Sequence, residues 1–221
     1  MKKMRKDVFN ELVQKTLLPD LQISSEYSYD PVIVEASPSN WTCIGVGNYA
    51  AVFEHKDYEE WVVKVYSREP ELVKKEVWVY EKLGVHPSYS ELIHYEQNYL
   101  ILKKLKGITL YEAVHRGIRI PEQVIKDVNE ALDYARMRGL NPYDIHGKNV
   151  MMNHNRGYVV DISDFYKTGI DRKWRDLVKA YYKIYMPFFY KYNIHIPYFV
   201  LNAVRRGYRI YRKIKRKDIL M

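Results

Sequence analysis

The sequence predicts an α+β fold, with a small antiparallel sheet followed by a mainly helical part. Three observations predict it. Short apolar runs separated by turns occupy residues 41–102. Helix-period apolar spacing takes over at 121–139. Between 144 and 161, a polar loop leads into a β-hairpin flanked by oxygen-bearing side chains. The chain has 221 residues, enough for one compact domain or two small lobes with a buried core.

Taken in order, residues 7–18 place Val8 and Leu12, with Phe9 and Thr16 beside them, on one helical face ahead of Pro19. Residues 31–36 read as an extra strand and 37–40 as a turn. Residues 41–45 and 49–54 read as two strands joined by a turn carrying Gly45 and Gly47. Without Cβ atoms, those glycines let backbone amides approach a phosphate. Cys43, just before the turn, reads as a small buried filler.

Residues 60–66 are apolar around one cation, Lys64. A lysine in a buried strand must be paired. The helix expected over 69–83, with Pro70 in its first turn, offers Glu76 and Glu81. Glu76 is preferred, because Val73, Val77 and Tyr80 give its face an inward lean. Residues 91–95 and 99–102 read as a hairpin, and 103–107 as a linker containing Lys103 and Leu105. A short helix follows near 111–115. The helix over 121–139 lines up Val124, Val128, Ala131, Leu132 and Ala135, and Gly139 ends it.

Asp144 precedes Asn149 by five positions, an apolar run covers 150–152, and a second run ends in Asp161. A hairpin brings its two ends together, so Asn149 and Asp161 are expected to converge with Asp144 just upstream. Two hard oxygen donors suit Mg²⁺, which keeps several waters and takes one or two protein carboxylates plus phosphates. A third carboxylate can orient a hydroxyl and accept its proton. Asp164 competes with Asp161; Asp161 is preferred because it ends the apolar strand.

These residues resemble the protein-kinase-like superfamily, whose catalytic loop runs Asp, four residues, Asn, then a metal-binding Asp after a hairpin. Gly45-Val46-Gly47, with Ala50 at the third glycine and Val52 after it, resembles its glycine-rich loop. Val62-Val63-Lys64 resembles its lysine strand. The size resembles small atypical, RIO-like serine/threonine kinases of bacteria or archaea. The resemblance implies a two-lobed fold with a reduced helical C-lobe: an N-terminal helix and extension at 1–40, an N-lobe at 41–104 and a C-lobe at 105–221.

It also implies ATP and Mg²⁺ as cofactors. Asp144 would be the catalytic carboxylate, and Asn149 and Asp161 the metal ligands. Gly45, Val46, Gly47, Val52, Lys64, Glu76, Lys103 and Leu105 would surround ATP. The expected activity is transfer of the γ-phosphate to a serine or threonine hydroxyl, with a protein substrate favoured over a small molecule. Departures are visible: Pro142-Tyr143 precedes Asp144 where kinases carry His-Arg, and Ile162-Ser163 follows Asp161 where they carry Phe-Gly. No Ala-Pro-Glu motif follows, so the peptide platform of eukaryotic kinases looks absent. His146 reads as a structural group of the loop, and also matches the position of a histidine in small-molecule phosphotransferases. Lys148 reads as a γ-phosphate contact or a solvated lysine. Asp176 reads as a buried helix carboxylate holding the catalytic loop or as a surface residue.

Residues 181–189 are aromatic and broken by Pro187, and a helix is expected from about Pro197. Its end is crowded with Arg205, Arg206, Arg209, Arg212, Lys213, Lys215, Arg216 and Lys217. The formal net charge is +9, which favours anionic partners without selecting one. The tail reads as a solvated basic helix, or as a dock for RNA, ribosome or acidic lipid. A single cysteine excludes an intramolecular disulfide. No uncharged apolar stretch reaches membrane-spanning length and no signal-peptide core follows the basic start, so a cytoplasmic location is expected. Two competing functions remain at this point: an aminoglycoside-like small-molecule phosphotransferase, and a nucleotide-binding pseudokinase acting as an RNA or ribosome adaptor.

Overall fold

A computed structural model describes residues 2–25 and 31–217, without the side chains of 2–5, 70 and 213–217. The fold is α+β, with antiparallel sheet in the N-terminal part and helices later. The chain forms two compact units. One holds the residues up to Lys106 with Ala131–Tyr143 and Val160–Ile170; the other holds Gly107–Glu130, Asp144–Val159 and the residues from Asp171 on.

The first unit opens with α1 (Lys2–Leu12), which continues into a π-helical turn (Val13–Leu17) and a 3₁₀ turn (Leu18–Asp20). Its buried face is Phe9, Val13 and Leu17, spaced four apart. This corrects the expected face: Val8 is 49% exposed, and the helix is rotated to bury the larger Phe9 ring instead. That ring lies 5.1 Å from both Tyr58 and Trp61 and 5.9 Å from Trp41. Thr16 is used for its hydroxyl, which accepts from Trp41 Nε1 at 3.0 Å.

Two short strands, β1 (Gln22–Ser24) and β2 (Ile33–Ala36), pair antiparallel. The main sheet contains β3 (Trp41–Val46), β4 (Ala50–His55), β5 (Tyr58–Tyr66), β6 (Leu92–Tyr95) and β7 (Tyr99–Lys103), in the order β3-β4-β5-β7-β6. Alternation along β5 sends Val63 and Val65 into the core with Phe53, Trp61 and Ile101, which leaves Lys64 for the opposite face. Helix α2 (Pro70–Leu83) follows β5 and stops at Gly84, φ +70°.

In the second unit, β8 (Ile108–Thr109) joins β9 (Val150–Asn153) and β10 (Arg156–Val159) in the order β10-β9-β8. The β9–β10 turn is the residue pair His154-Asn155, both at positive φ (44° and 64°), the primed geometry that matches strand twist. Gly107 sits at φ +143°, and a Cβ there would lie 2.3 Å from the Met152 carbonyl oxygen. Helix α3 (Leu110–His115) is capped by Thr109, whose hydroxyl accepts from Glu112 N–H at 3.1 Å. Helix α4 (Glu122–Met137) buries Val124 and Val128 in this unit and Ala131, Leu132 and Ala135 in the first.

Helix α5 (Lys173–Ala180) runs into a π-helical segment, Tyr181–Phe189. Pro187 was expected to break that stretch, but it sits inside. The wider five-residue repeat, visible where Tyr190 N–H donates to Tyr185 C=O at 2.9 Å, gives the proline ring room that an α-turn would deny it. Helix α6 (Tyr198–Lys217) is last, packed through Tyr198, which stacks on His115, and through Tyr208.

Candidate active site

In the first unit the site is built around Lys64. Its ammonium lies 2.8 and 3.0 Å from the two Glu76 carboxylate oxygens and 3.3 Å from Asp161 Oδ1. Glu76 shares the inward face of α2 with Val73, Val77 and Tyr80, and its side chain is 1% exposed. Glu81, the competing residue, is exposed. Tyr66, two residues after Lys64 and on the same strand face, also donates to Glu76.

Burial works against a charged Lys64, but Asp161 and Glu76 outweigh it and push its pKa up, keeping it cationic. Burial likewise penalises the Asp161 carboxylate. The Lys64 charge and hydrogen bonding by Ser163, whose N–H lies 3.1 Å from Oδ1, overcome that and hold its pKa down. Glu76 is raised, because burial exceeds the pull of Lys64 and Asp161 adds repulsion. Asp164 is elsewhere engaged, with Lys167 at 2.7 Å.

The glycine turn stands at the end of the same sheet. Gly45 faces Val52 across β3–β4, and Val52 faces Lys64 across β4–β5. Gly47 N–H donates to Ala50 C=O at 2.8 Å and closes the turn. Its own carbonyl accepts from Val32 N–H at 2.9 Å, which ties the turn to the chain entering β2. Val46 is 53% exposed. Lys103 is already committed: its N–H donates to Glu91 C=O at 2.9 Å, its carbonyl accepts from Ser90 at 2.6 Å, and its ammonium pairs with Glu91. Leu105 is half-buried.

In the second unit, Asp144 lies at φ +61°, a strained conformation for a residue with a Cβ. Asp171 holds it there, its Oδ2 accepting from Asp144 N–H at 3.1 Å while Oδ1 accepts from Lys173 N–H at 2.7 Å. The Lys173 ammonium forms an ion pair with the Asp144 carboxylate. Asn149 Nδ2 donates to Asp144 C=O at 3.1 Å, which fixes the amide and leaves its oxygen as an acceptor. His146 Nδ1 accepts from Lys148 N–H at 3.3 Å, and its carbonyl accepts from Asn149 N–H at 2.9 Å, so His146 braces the loop. Lys148 points to the Tyr111 ring, 4.7 Å from its centroid. Burial, then Arg205 and Arg209, push the Lys148 pKa down.

Asp176 does not hold the loop; it accepts from Tyr208 at 2.9 Å. Asp171 has that task. Sequence reasoning missed Asp171 and Lys173, although an aspartate two residues before a helix start is a capping signal. It also missed Tyr66, which alternation from Lys64 would have found, and Asp127. The Asp127 carboxylate accepts from Gln123 at 2.8 Å, from Arg156 at 2.8 Å and from Gly157 N–H at 2.9 Å, tying α4 to the hairpin.

Among the described residues, no cluster of three or more His, Cys, Asp or Glu forms a protein-only metal cage. In the first unit Asp161 is ionised and part-exposed, and in the second the Asn149 amide oxygen is left as an acceptor; each by itself is a hard oxygen donor of the kind Mg²⁺ takes together with phosphate and water.

The chain is 32% identical over 180 residues to the Bacillus subtilis (strain 168) protein named "Putative serine/threonine-protein kinase YrzF", a match spanning 80% of this chain and 82% of the relative. The chain belongs to that kinase-like family. No protein-family model matches it. In this kinase-like chain, the aligned length accommodates both the Lys64 cluster and the Asp144 loop. No described helix is long and apolar enough to cross a membrane.

Proposed function

We propose that this protein is an ATP- and Mg²⁺-dependent phosphotransferase that moves the γ-phosphate of ATP to a serine or threonine hydroxyl of a protein. The observation that carries the reading is the buried Lys64 held by Glu76 and facing Asp161. A lysine kept charged in this way is an electrostatic anchor for phosphate oxygens. In the proposal the Gly45-Val46-Gly47 turn and Val52 cover the nucleotide. With Lys103's backbone committed, Leu105 takes the adenine edge.

Mg²⁺ held by Asn149 and Asp161 would neutralise charge on the transferred phosphate. Asp144 orients the acceptor hydroxyl and takes its proton. Lys173, a positioning residue, pairs with that carboxylate and keeps it aimed. The positive charge around the loop, where Arg205 and Arg209 already depress Lys148, disfavours a cationic, aminoglycoside-like acceptor. The adaptor alternative leaves the joint presence of Lys64, Asp144, Asn149 and Asp161 without a use.

The test is incubation of purified protein with γ-labelled ATP, Mg²⁺, candidate proteins and small amines. Label should appear on protein serine or threonine, require Mg²⁺, and fall at least about a hundredfold in Asp144→Asn and Asp161→Ala. Transfer that survives in both variants overturns the reading. Label on amine sugars in place of protein replaces it with the small-molecule one.

A further inference from the structure

Helix α6 packs on the second unit through one face. Tyr198 stacks on His115 and Tyr111, Asn202 accepts from the Tyr111 hydroxyl at 2.9 Å, and Tyr208 donates to Asp176 at 2.9 Å. Helical spacing sets a second row on the far side: Phe199, Ala203, Gly207, Ile210, with Val204 beside it. A polar row is normal there for a surface helix. Here the row is apolar and exposed: Phe199 74%, Val204 65%, Ile210 60%. Arg206 borders it and is exposed.

We propose that this face of α6 binds an anionic lipid surface, with the helix lying in the plane of the headgroups. A charged flank alone would suit nucleic acid equally. The adjoining aliphatic row favours lipid, because valine, isoleucine and alanine have no hydrogen-bonding group to offer phosphates or base edges but gain free energy at an acyl boundary. Arg206 supplies charge complementarity to acidic headgroups, and the net charge of +9 adds long-range attraction. The inference is independent of the catalytic reading.

The test is sedimentation of the full chain with vesicles of phosphatidylcholine alone and of phosphatidylcholine mixed with phosphatidylglycerol. Binding is expected to the mixed vesicles, with weakening by salt. Phe199→Ser with Ile210→Ser should lower affinity about tenfold or more, and Arg206→Glu should lower it several-fold. All three residues are exposed, so circular dichroism should be unchanged. If the serine pair loses that signature, Ala203→Asp gives the same readout. No binding to the mixed vesicles overturns the proposal. So does binding indifferent to Phe199 and Ile210, binding to RNA without binding to vesicles, or a dimer that those substitutions dissolve.

Discussion

Lys64 and Glu76 are costly to bury apart and tolerable together, because each supplies the countercharge the other lacks. Lys64→Met leaves Glu76 buried beside Tyr66 and Asp161 without a cation, and should destabilise the protein by roughly 3–5 kcal/mol in urea unfolding. Glu81→Gln, on the exposed face, should change stability by less than about 0.5 kcal/mol. At the loop, Lys173→Met should lower kcat on the order of tenfold to a hundredfold with KM for ATP nearly unchanged, and Lys173→Arg should restore part of it. A merely structural lysine would move both constants through lost fold. Lys64 was legible in the sequence because a cation inside an apolar strand demands a partner, and the Val73, Val77, Tyr80 spacing points Glu76 inward. Asp171 was not, because nothing near it in sequence indicates that its carboxylate reaches Asp144 across 27 positions.

At the scale of elements, the β9–β10 hairpin is fixed to α4 by one carboxylate and one missing side chain. Asp127 is buried, and a Cβ on Gly157 would fall 2.4 Å from the Val124 carbonyl oxygen. Burial alone would raise the Asp127 pKa, but hydrogen bonds from Gln123, Gly157 and Arg156 hold it below the ordinary carboxylate range. A depressed folded-state pKa means the stabilisation is full above the unfolded value near 4 and is lost as pH falls through the folded one. Asp127→Asn should therefore cost about 1–3 kcal/mol at neutral pH in thermal melting, and the deficit should shrink in acid. Glu76 has the opposite sign, its raised pKa making its ionisation a cost as pH rises, so the acid slope is read from the difference between variant and parent. Strands and helices were legible from period and punctuation. The rotation of α1 was not: Val8 and Phe9 are both apolar, and the choice depends on the Trp41, Tyr58 and Trp61 rings, supplied by distant strands. Helix continuity through Pro187 was illegible for a related reason, since the rule against internal proline assumes an α-turn.

At the scale of the molecule, the chain leaves its first compact unit after Lys106 and returns twice, at Ala131–Tyr143 and Val160–Ile170. Periodicity carries no signal for such returns, which is why contiguous ranges were all the sequence offered. The proposed nucleotide binding has a global readout. ATP with Mg²⁺ at about a hundred times its dissociation constant should stabilise the chain by about 2.7 kcal/mol, read as a rise in melting temperature. Asp161→Ala should lose the part of that rise that depends on Mg²⁺.

The Val32-to-Gly47 hydrogen bond, with Phe9 seated among Trp41, Tyr58 and Trp61, has a practical corollary for anyone trimming the chain to its motif-bearing portion. A fragment starting at Trp41 would lay an aromatic bowl open to solvent and unpin the Gly45–Gly47 turn from its brace. Such a clone should be recovered mainly as inclusion bodies, and its soluble remainder should be nicked by protease near Tyr49 sooner than the parent.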